Sequence, residues 1–255
     1  MFFALSLGLL IGSFLNVCIY RIPRQMSVVY KRSRCVSCGR PLSPAELIPL
    51  LSFLLQRGRC RGCGEGISLQ YPLVEGWTAL TFAALAALYG GLTAAWAAAA
   101  LMAAFFIVIA VIDLQHKIIP NRVLGAAFVA IALRQAGKVW TGQDGGLALL
   151  LDSLAGGVFG AALLFAVFWF SKGGLGLGDV KFAFVFGLLL GWPGALWAIT
   201  LSALCGSVVG LAGIASGRWT GKSQIPFGPF LAFGYFTVYL LLESSAAAAI
   251  RDFLG

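Results

Sequence analysis

The chain has 255 residues, of which 60% are hydrophobic and only 11% charged, with a net charge of +9 and a mean hydropathy of +0.94. Soluble domains carry roughly 25% charged residues, so a single water-soluble core is excluded and lipid must solvate much of the surface. The positive charge does not indicate nucleic acid, because half of the basic residues sit in one loop and the rest flank apolar runs, as expected for charges that orient a membrane protein.

Apolar runs of about 20 residues can cross a bilayer as helices. Eight are expected in chain order: Phe2–Tyr20, Leu73–Tyr89, Ala94–Ile112, Val123–Ala136, Leu147–Phe170, Val180–Leu190, Ala195–Ala215 and Phe227–Leu242. The predicted fold class is therefore an all-α polytopic membrane protein of about eight transmembrane helices. Its expected organisation is a first span (1–20), a small cytoplasmic zinc-binding segment (21–72) and a helical domain (73–255). The first run reads as an anchor, not a cleaved signal, because Arg21 and Arg24 follow the apolar stretch instead of preceding it. The sixth and seventh spans are divided only by Gly191-Trp192-Pro193-Gly194, a turn signal.

The segment after the first span holds Cys35-Val36-Ser37-Cys38 and Cys60-Arg61-Gly62-Cys63. Two C-x2-C knuckles separated by 21 residues match a tetrahedral four-thiolate zinc site, with Gly39, Gly62 and Gly64 permitting the turns. Redox thiols are the competing reading. Four thiolates leave no open position for a catalytic water, so the site is expected to be structural. A segment this small gains folding free energy from a bound metal. Cys18 and Cys205 lie alone in apolar runs and read as inert small hydrophobes.

With the N-terminus outside, fifteen of the 18 Lys and Arg fall on the inner side and only Arg134, Lys138 and Arg251 outside, the asymmetry that the positive-inside rule expects. Lys31, Lys172 and Lys222 belong to the inner set. This orientation keeps the four thiols in a reducing compartment, which disfavours disulfides. It also places Asp113 and Asp179, 66 positions apart, at the inner ends of spans three and six, where they can meet.

Acids near the hydrocarbon are functional candidates. Either aspartate alone could simply cap or end a helix, and Asp179 before a helix start suits an N-cap. As a pair they can share one proton, the ionised member activating water while the protonated member polarises a scissile carbonyl. Gly176 and Gly178 allow close approach and unusual φ around Asp179. The other acids are less promising. Asp152 is expected to cap or bond locally, while Glu75 suits a helix N-terminus or faces the active-site cavity. Asp144 and Asp252 read as exterior charges, and Glu243 ends span eight. His116, the only histidine, reads as interfacial.

These motifs together resemble the bacterial type IV prepilin peptidases of the GxGD class of aspartyl proteases. The resemblance runs through Gly12-Ser13-Phe14-Leu15-Asn16-Val17 with Arg21-Ile22-Pro23, then Leu47-Ile48-Pro49-Leu50-Leu51-Ser52, Arg57-Gly58-Arg59-Cys60 and Tyr71-Pro72-Leu73-Val74-Glu75. It continues with Asp113 and Ile119-Pro120-Asn121, where the family often has Asp at position 121. Gly176-Leu177-Gly178-Asp179 with Lys181 and Ile225-Pro226-Phe227-Gly228-Pro229 complete it. The resemblance implies Asp113 and Asp179 as the catalytic pair, with Gly176, Gly178 and Lys181 in the supporting loop. It also implies prepilins or type II secretion pseudopilins as substrates, cut at the cytoplasmic face of the inner membrane. For members with the four-cysteine segment it implies methylation of the new N-terminus by S-adenosylmethionine. No glycine-rich methyltransferase fingerprint is present to place that cofactor. A peptidase without methylation, a proton- or cation-coupled transporter using the two acids, and a zinc scaffold without chemistry are the rival readings.

Overall fold

The computed structural model describes residues 1–30, 32–142, 146–171, 174–220 and 223–243. Lys31, Asp144, Lys172, Lys222, Arg251 and Asp252 lie outside these described residues. The chain forms two compact units, Met1–Val108 and Ile109–Gly255, and the described residues contain helices and no strands beyond isolated bridges.

In the first unit, α1 (Phe2–Arg21) packs on α3 (Gln70–Leu88) through small residues. A Cβ on Gly8 would lie 2.6 Å from the Ala79 Cα, and one on Gly12 would lie 2.8 Å from the Glu75 Cα. The two backbones therefore touch, the close approach by which helices associate in lipid without a hydrophobic driving force. Buried Asn16 on α1 donates to the Tyr71 carbonyl at 3.1 Å and accepts from Gln70 at 3.4 Å, so its amide is satisfied where an orphan would be costly. The helix α4 (Ala94–His116) starts in this unit, where the Trp96 indole donates to the Phe82 carbonyl at 3.0 Å and stands edge-on to its ring.

Between α1 and α3 lie a 3-10 turn (Pro44–Leu47) and the five-residue α2 (Leu51–Leu55). Glu46 anchors this stretch. It accepts from the Ser43 amide and hydroxyl, both at 2.9 Å, and pairs with Arg40 at 2.6 Å. The Arg40 guanidinium, with the Ser43 donors, holds the Glu46 carboxyl down to about 2.

In the second unit, α6 (Leu147–Phe170) lies along the first part of α7 (Leu177–Ala215). Gly156 and Gly187 oppose each other, and a Cβ on Gly156 would come within 2.6 Å of the Gly187 carbonyl oxygen. Buried Gln135 of α5 (Asn121–Trp140) bonds the Ser153 hydroxyl at 2.7 Å and the Leu188 carbonyl at 3.0 Å, tying α5 to both helices.

At 39 residues, α7 would reach about 58 Å if straight, roughly twice the hydrocarbon thickness. Instead it breaks at Gly191, with φ 74° and ψ −178°, just before Pro193. Past the break the chain runs back. Gly194 lies by Leu242 near the end of α8 (Gly228–Glu243), whereas Gly206 lies by Phe227 and Phe230 at its beginning. Asp152 supports the reversal by accepting the Trp192 amide at 3.1 Å. It is a cap, as expected, but to a residue 40 positions away, because the break leaves the first amides of the second arm without intrahelical acceptors.

Six helices are long and apolar enough to cross a membrane, and the 16-residue α8 is a further apolar helix. With α7 doubled back at Gly191, the expected eight apolar segments are all present. At the end of the second unit remote from Asp113, Glu243 pairs with Arg134 at 2.6 Å and Lys138 at 3.4 Å, joining α5 to α8.

Candidate active site and metal centre

Asp113 occupies the last turn of α4, and its carboxylate is almost completely buried. The helix ends three residues later at His116, after which Lys117 turns left-handed at φ 54° and its amide caps the Asp113 carbonyl at 2.8 Å. The outgoing Ile118-Ile119-Pro120 leads into α5. Asp113 Oδ2 accepts the backbone N–H of Gly228, the first residue of α8, at 2.8 Å. A Cβ at Gly228 would be 2.7 Å from that oxygen, so this position needs glycine for the approach.

Asp179 is buried at the third position of α7, and its Oδ2 accepts the Gly176 N–H at 3.0 Å. Gly176, not Asp179, is therefore the N-cap residue, and the carboxylate reaches back to it. Neither Gly176 nor Gly178 has a positive φ, so the expectation of unusual backbone angles does not hold. Their use is room: a Cβ on Gly178 would press on Ile119 at 3.1 Å, and one on Gly176 on Asp179 Oδ2 at 3.3 Å.

The Ile119 contact draws the loop after Asp113 against the residue before Asp179. Among the described residues the second oxygen of each carboxylate has no hydrogen-bond partner, so each remains available to water or a substrate. Lys181 points elsewhere and donates to Asn121 Oδ1 at 3.2 Å, bridging the starts of α7 and α5. His116 is exposed on the last turn of α4. Glu75 is buried in the second turn of α3 and accepts the Leu50 amide at 2.8 Å. The Gly228 N–H was not foreseeable as a partner of Asp113, because a backbone donor leaves no side-chain signature. Its only signal was the Ile225–Pro229 motif.

In the first unit the two cysteine knuckles repeat one geometry. The Cys35 amide bonds the Arg40 carbonyl at 2.9 Å and the Cys60 amide bonds the Glu65 carbonyl at 2.8 Å. Gly39 and Gly64 donate back to Cys35 and Cys60 and are left-handed at φ 70° and 72°, which favours glycine. Gly62 is not left-handed. It makes room for Arg40, whose Nε would be 2.8 Å from a Cβ there. The four sulfurs of Cys35, Cys38, Cys60 and Cys63 lie within 4.8 Å of one another, with Cys35 and Cys63 3.9 Å apart. Tetrahedral zinc with Zn–S bonds of about 2.3 Å requires sulfurs about 3.8 Å apart, so the donor set fits a metal ion. Cys18 is buried and Cys205 half-buried, both as free thiols.

Two family models match the chain: the bacterial peptidase A24 N-terminal domain over residues 6–89 and the type IV leader peptidase family over residues 100–211. A prepilin leader peptidase/N-methyltransferase of Bacillus subtilis is 37% identical over 97% of this chain and 97% of its own. Proteins of the same name from Aeromonas hydrophila and Pseudomonas aeruginosa are 32% and 33% identical, covering 97% and 89% of this chain and 92% and 85% of theirs. No solved structure matches significantly. With likeness of this extent running nearly end to end through both matched segments, the chain belongs to the type IV leader peptidase family.

Proposed function

We propose that this protein is a membrane aspartyl endopeptidase that removes the leader from type IV prepilins or type II secretion pseudopilins, with Asp113 and Asp179 as its catalytic pair. The observation that carries the assignment is the convergence of two buried carboxylates from α4 and α7, each held by one backbone amide and each with one oxygen unpartnered among the described residues. In the reaction the ionised aspartate takes a proton from water as the water oxygen attacks the scissile carbonyl carbon. The protonated aspartate hydrogen-bonds the carbonyl oxygen, where negative charge develops. Collapse of the tetrahedral intermediate breaks the C–N bond, and the departing nitrogen takes the proton held by the pair. The Gly228 and Gly176 amides fix the two carboxylates before substrate arrives, so little reorganisation is required.

The enzyme also methylates the new N-terminal residue, in keeping with the name shared by its relatives. When bound, S-adenosylmethionine would supply an electrophilic methyl group to the freed α-amine, leaving as S-adenosylhomocysteine while the amine gives up a proton. The cysteine segment and the aspartate pair face the cytoplasmic side of the inner membrane, a reading supported by the excess of Lys and Arg in the loops assigned to that side. Zinc on Cys35, Cys38, Cys60 and Cys63 organises residues 21–72 and takes no part in hydrolysis, since four thiolates close its coordination. Lys181, with Gly176 and Gly178, shapes the loop that presents Asp179.

The test is incubation of the purified protein in lipid with a prepilin and isotope-labelled S-adenosylmethionine, followed by mass analysis. Leader loss with one added methyl group is expected. Asp113→Asn and Asp179→Asn should each reduce cleavage below detection while inserting normally into membranes. Cleavage at near wild-type rate by either variant would remove that aspartate from the mechanism. Cleavage without label in the product would remove methylation.

A further inference from the structure

The segment between α1 and α3 is polar and rich in arginine, yet it carries an aliphatic edge that is left exposed among the described residues. Leu47, Ile48 and Leu51 are exposed, and Leu54 and Leu55 retain 69% and 67% of their full accessibility. The exposure follows from the helical register. Residues 51, 54 and 55 share one face of α2, whereas Phe53 turns inward onto Gly58, where a Cβ would lie 3.1 Å from its ring. The edge is also held in place. Leu50, just before α2, is left-handed at φ 57°, and its amide is fixed by buried Glu75 of α3 at 2.8 Å. A non-glycine residue keeps such a conformation only when its surroundings impose it.

Immediately after the edge come Arg57, Arg59 and Arg61, all exposed and without an ion pair among the described residues. The segment leaves α1 at Arg21 and enters α3 at Gln70. Both helices are long and apolar enough to span a membrane, and no helix of that length lies between them, so both ends of the segment meet the same bilayer face.

We propose that Leu47, Ile48, Leu51, Leu54 and Leu55 insert into the headgroup–acyl boundary of the bilayer that α1 and α3 cross, while Arg57, Arg59 and Arg61 engage anionic headgroups. Aliphatic side chains beside unpaired guanidinium groups have the chemistry of an interfacial element, apolar on one side and cationic on the other. Arginine suits this position because its stem can lie along apolar surface while the guanidinium binds phosphate. The metal-binding knuckle containing Cys60 and Cys63 follows α2 directly, so it is held against the membrane surface.

The full-length, metal-loaded protein is reconstituted in lipid nanodiscs at one copy per disc, with an environment-sensitive fluorescent amino acid at position 54. Unchanged zinc content and prepilin cleavage show that this variant folds, and a second label at position 51 repeats the measurement. The expected result is strong loss of emission when the lipids carry bromine on the upper acyl chain, with protection from aqueous iodide. In discs of phosphatidylglycerol mixed with phosphatidylcholine, R57Q/R59Q/R61Q should lose much of this lipid quenching. In phosphatidylcholine alone it should match the parent. Iodide quenching without lipid quenching would overturn the proposal by leaving the edge in water. Protection from both quenchers would overturn it too, because protein would then cover the edge. Lipid quenching unaffected by the arginine substitutions in anionic discs would overturn the headgroup contact.

Discussion

Replacing Gly228 by alanine isolates the amide that holds Asp113. A Cβ there would sit 2.7 Å from Asp113 Oδ2 and 2.9 Å from its Cγ, so the carboxylate must retreat by about 0.5 Å or more to reach an ordinary non-bonded distance. That retreat stretches the 2.8 Å hydrogen bond past useful geometry. A hydrogen bond to a charged group contributes about 1.5–3 kcal/mol, and each 1.36 kcal/mol of lost transition-state stabilisation is about tenfold in rate. G228A should therefore cleave prepilin about tenfold to a hundredfold more slowly in kcat/KM, with zinc content and melting temperature close to wild type. Gly206 provides the matched control. A Cβ there meets Phe230 at 3.4 Å and Phe227 at 3.5 Å, ordinary contacts, so G206A should remain within about twofold of wild type. The assay is single-turnover cleavage in detergent–lipid micelles, resolved by gel or mass. A G228A enzyme as fast as G206A would refute the role assigned to the amide.

Two further substitutions probe the scaffold. C35S/C38S should lose bound zinc, from about one ion per chain to near none, and loosen residues 21–72 to limited proteolysis; elemental analysis showing unchanged zinc would exclude these ligands. G156A should destabilise the second unit by about 1–3 kcal/mol, since the added methyl meets backbone on α7 and not a side chain that can turn away. Thermal unfolding in a fixed detergent measures this, and an unchanged midpoint would show that the seam has slack.

Much of the architecture can be read from the residues because lipid imposes a simple rule: a crossing segment must be apolar and must satisfy its own backbone. The eight apolar segments, including the break at Gly191-Trp192-Pro193-Gly194, follow from that rule together with turn chemistry. The two C-x2-C knuckles are equally legible, since thiolate ligands have fixed spacing, and the sulfurs do converge. What sequence does not carry is contact made by absence. Gly156, Gly187 and Gly228 look like flexible positions along the chain, yet each marks a place where another group must come close. Non-local partners are similarly hidden. The pairing of Glu75 with Leu50, and of Asp152 with Trp192, joins residues 25 and 40 positions apart, which no local pattern encodes. At Gly176 and Gly178 the expected close approach is present and the unusual φ is not, because the turn needs steric room there.

The seam between α6 and the first arm of α7 bears on how the enzyme must move. Where two helices meet through leucines, the interface has rotamers to exchange and can slide by repacking them. Between Gly156 and Gly187 there are no such rotamers, only backbone against backbone. Such a joint loses little side-chain entropy when it forms, and it has few alternative states to visit. The arm that begins at Leu177 is in effect held at this seam, and on the proposed mechanism Asp179 would be the fixed member of the pair. On that mechanism, adjustment to an incoming peptide would fall to the Lys117–Pro120 turn with the first residues of α8, where one amide and one isoleucine set the gap.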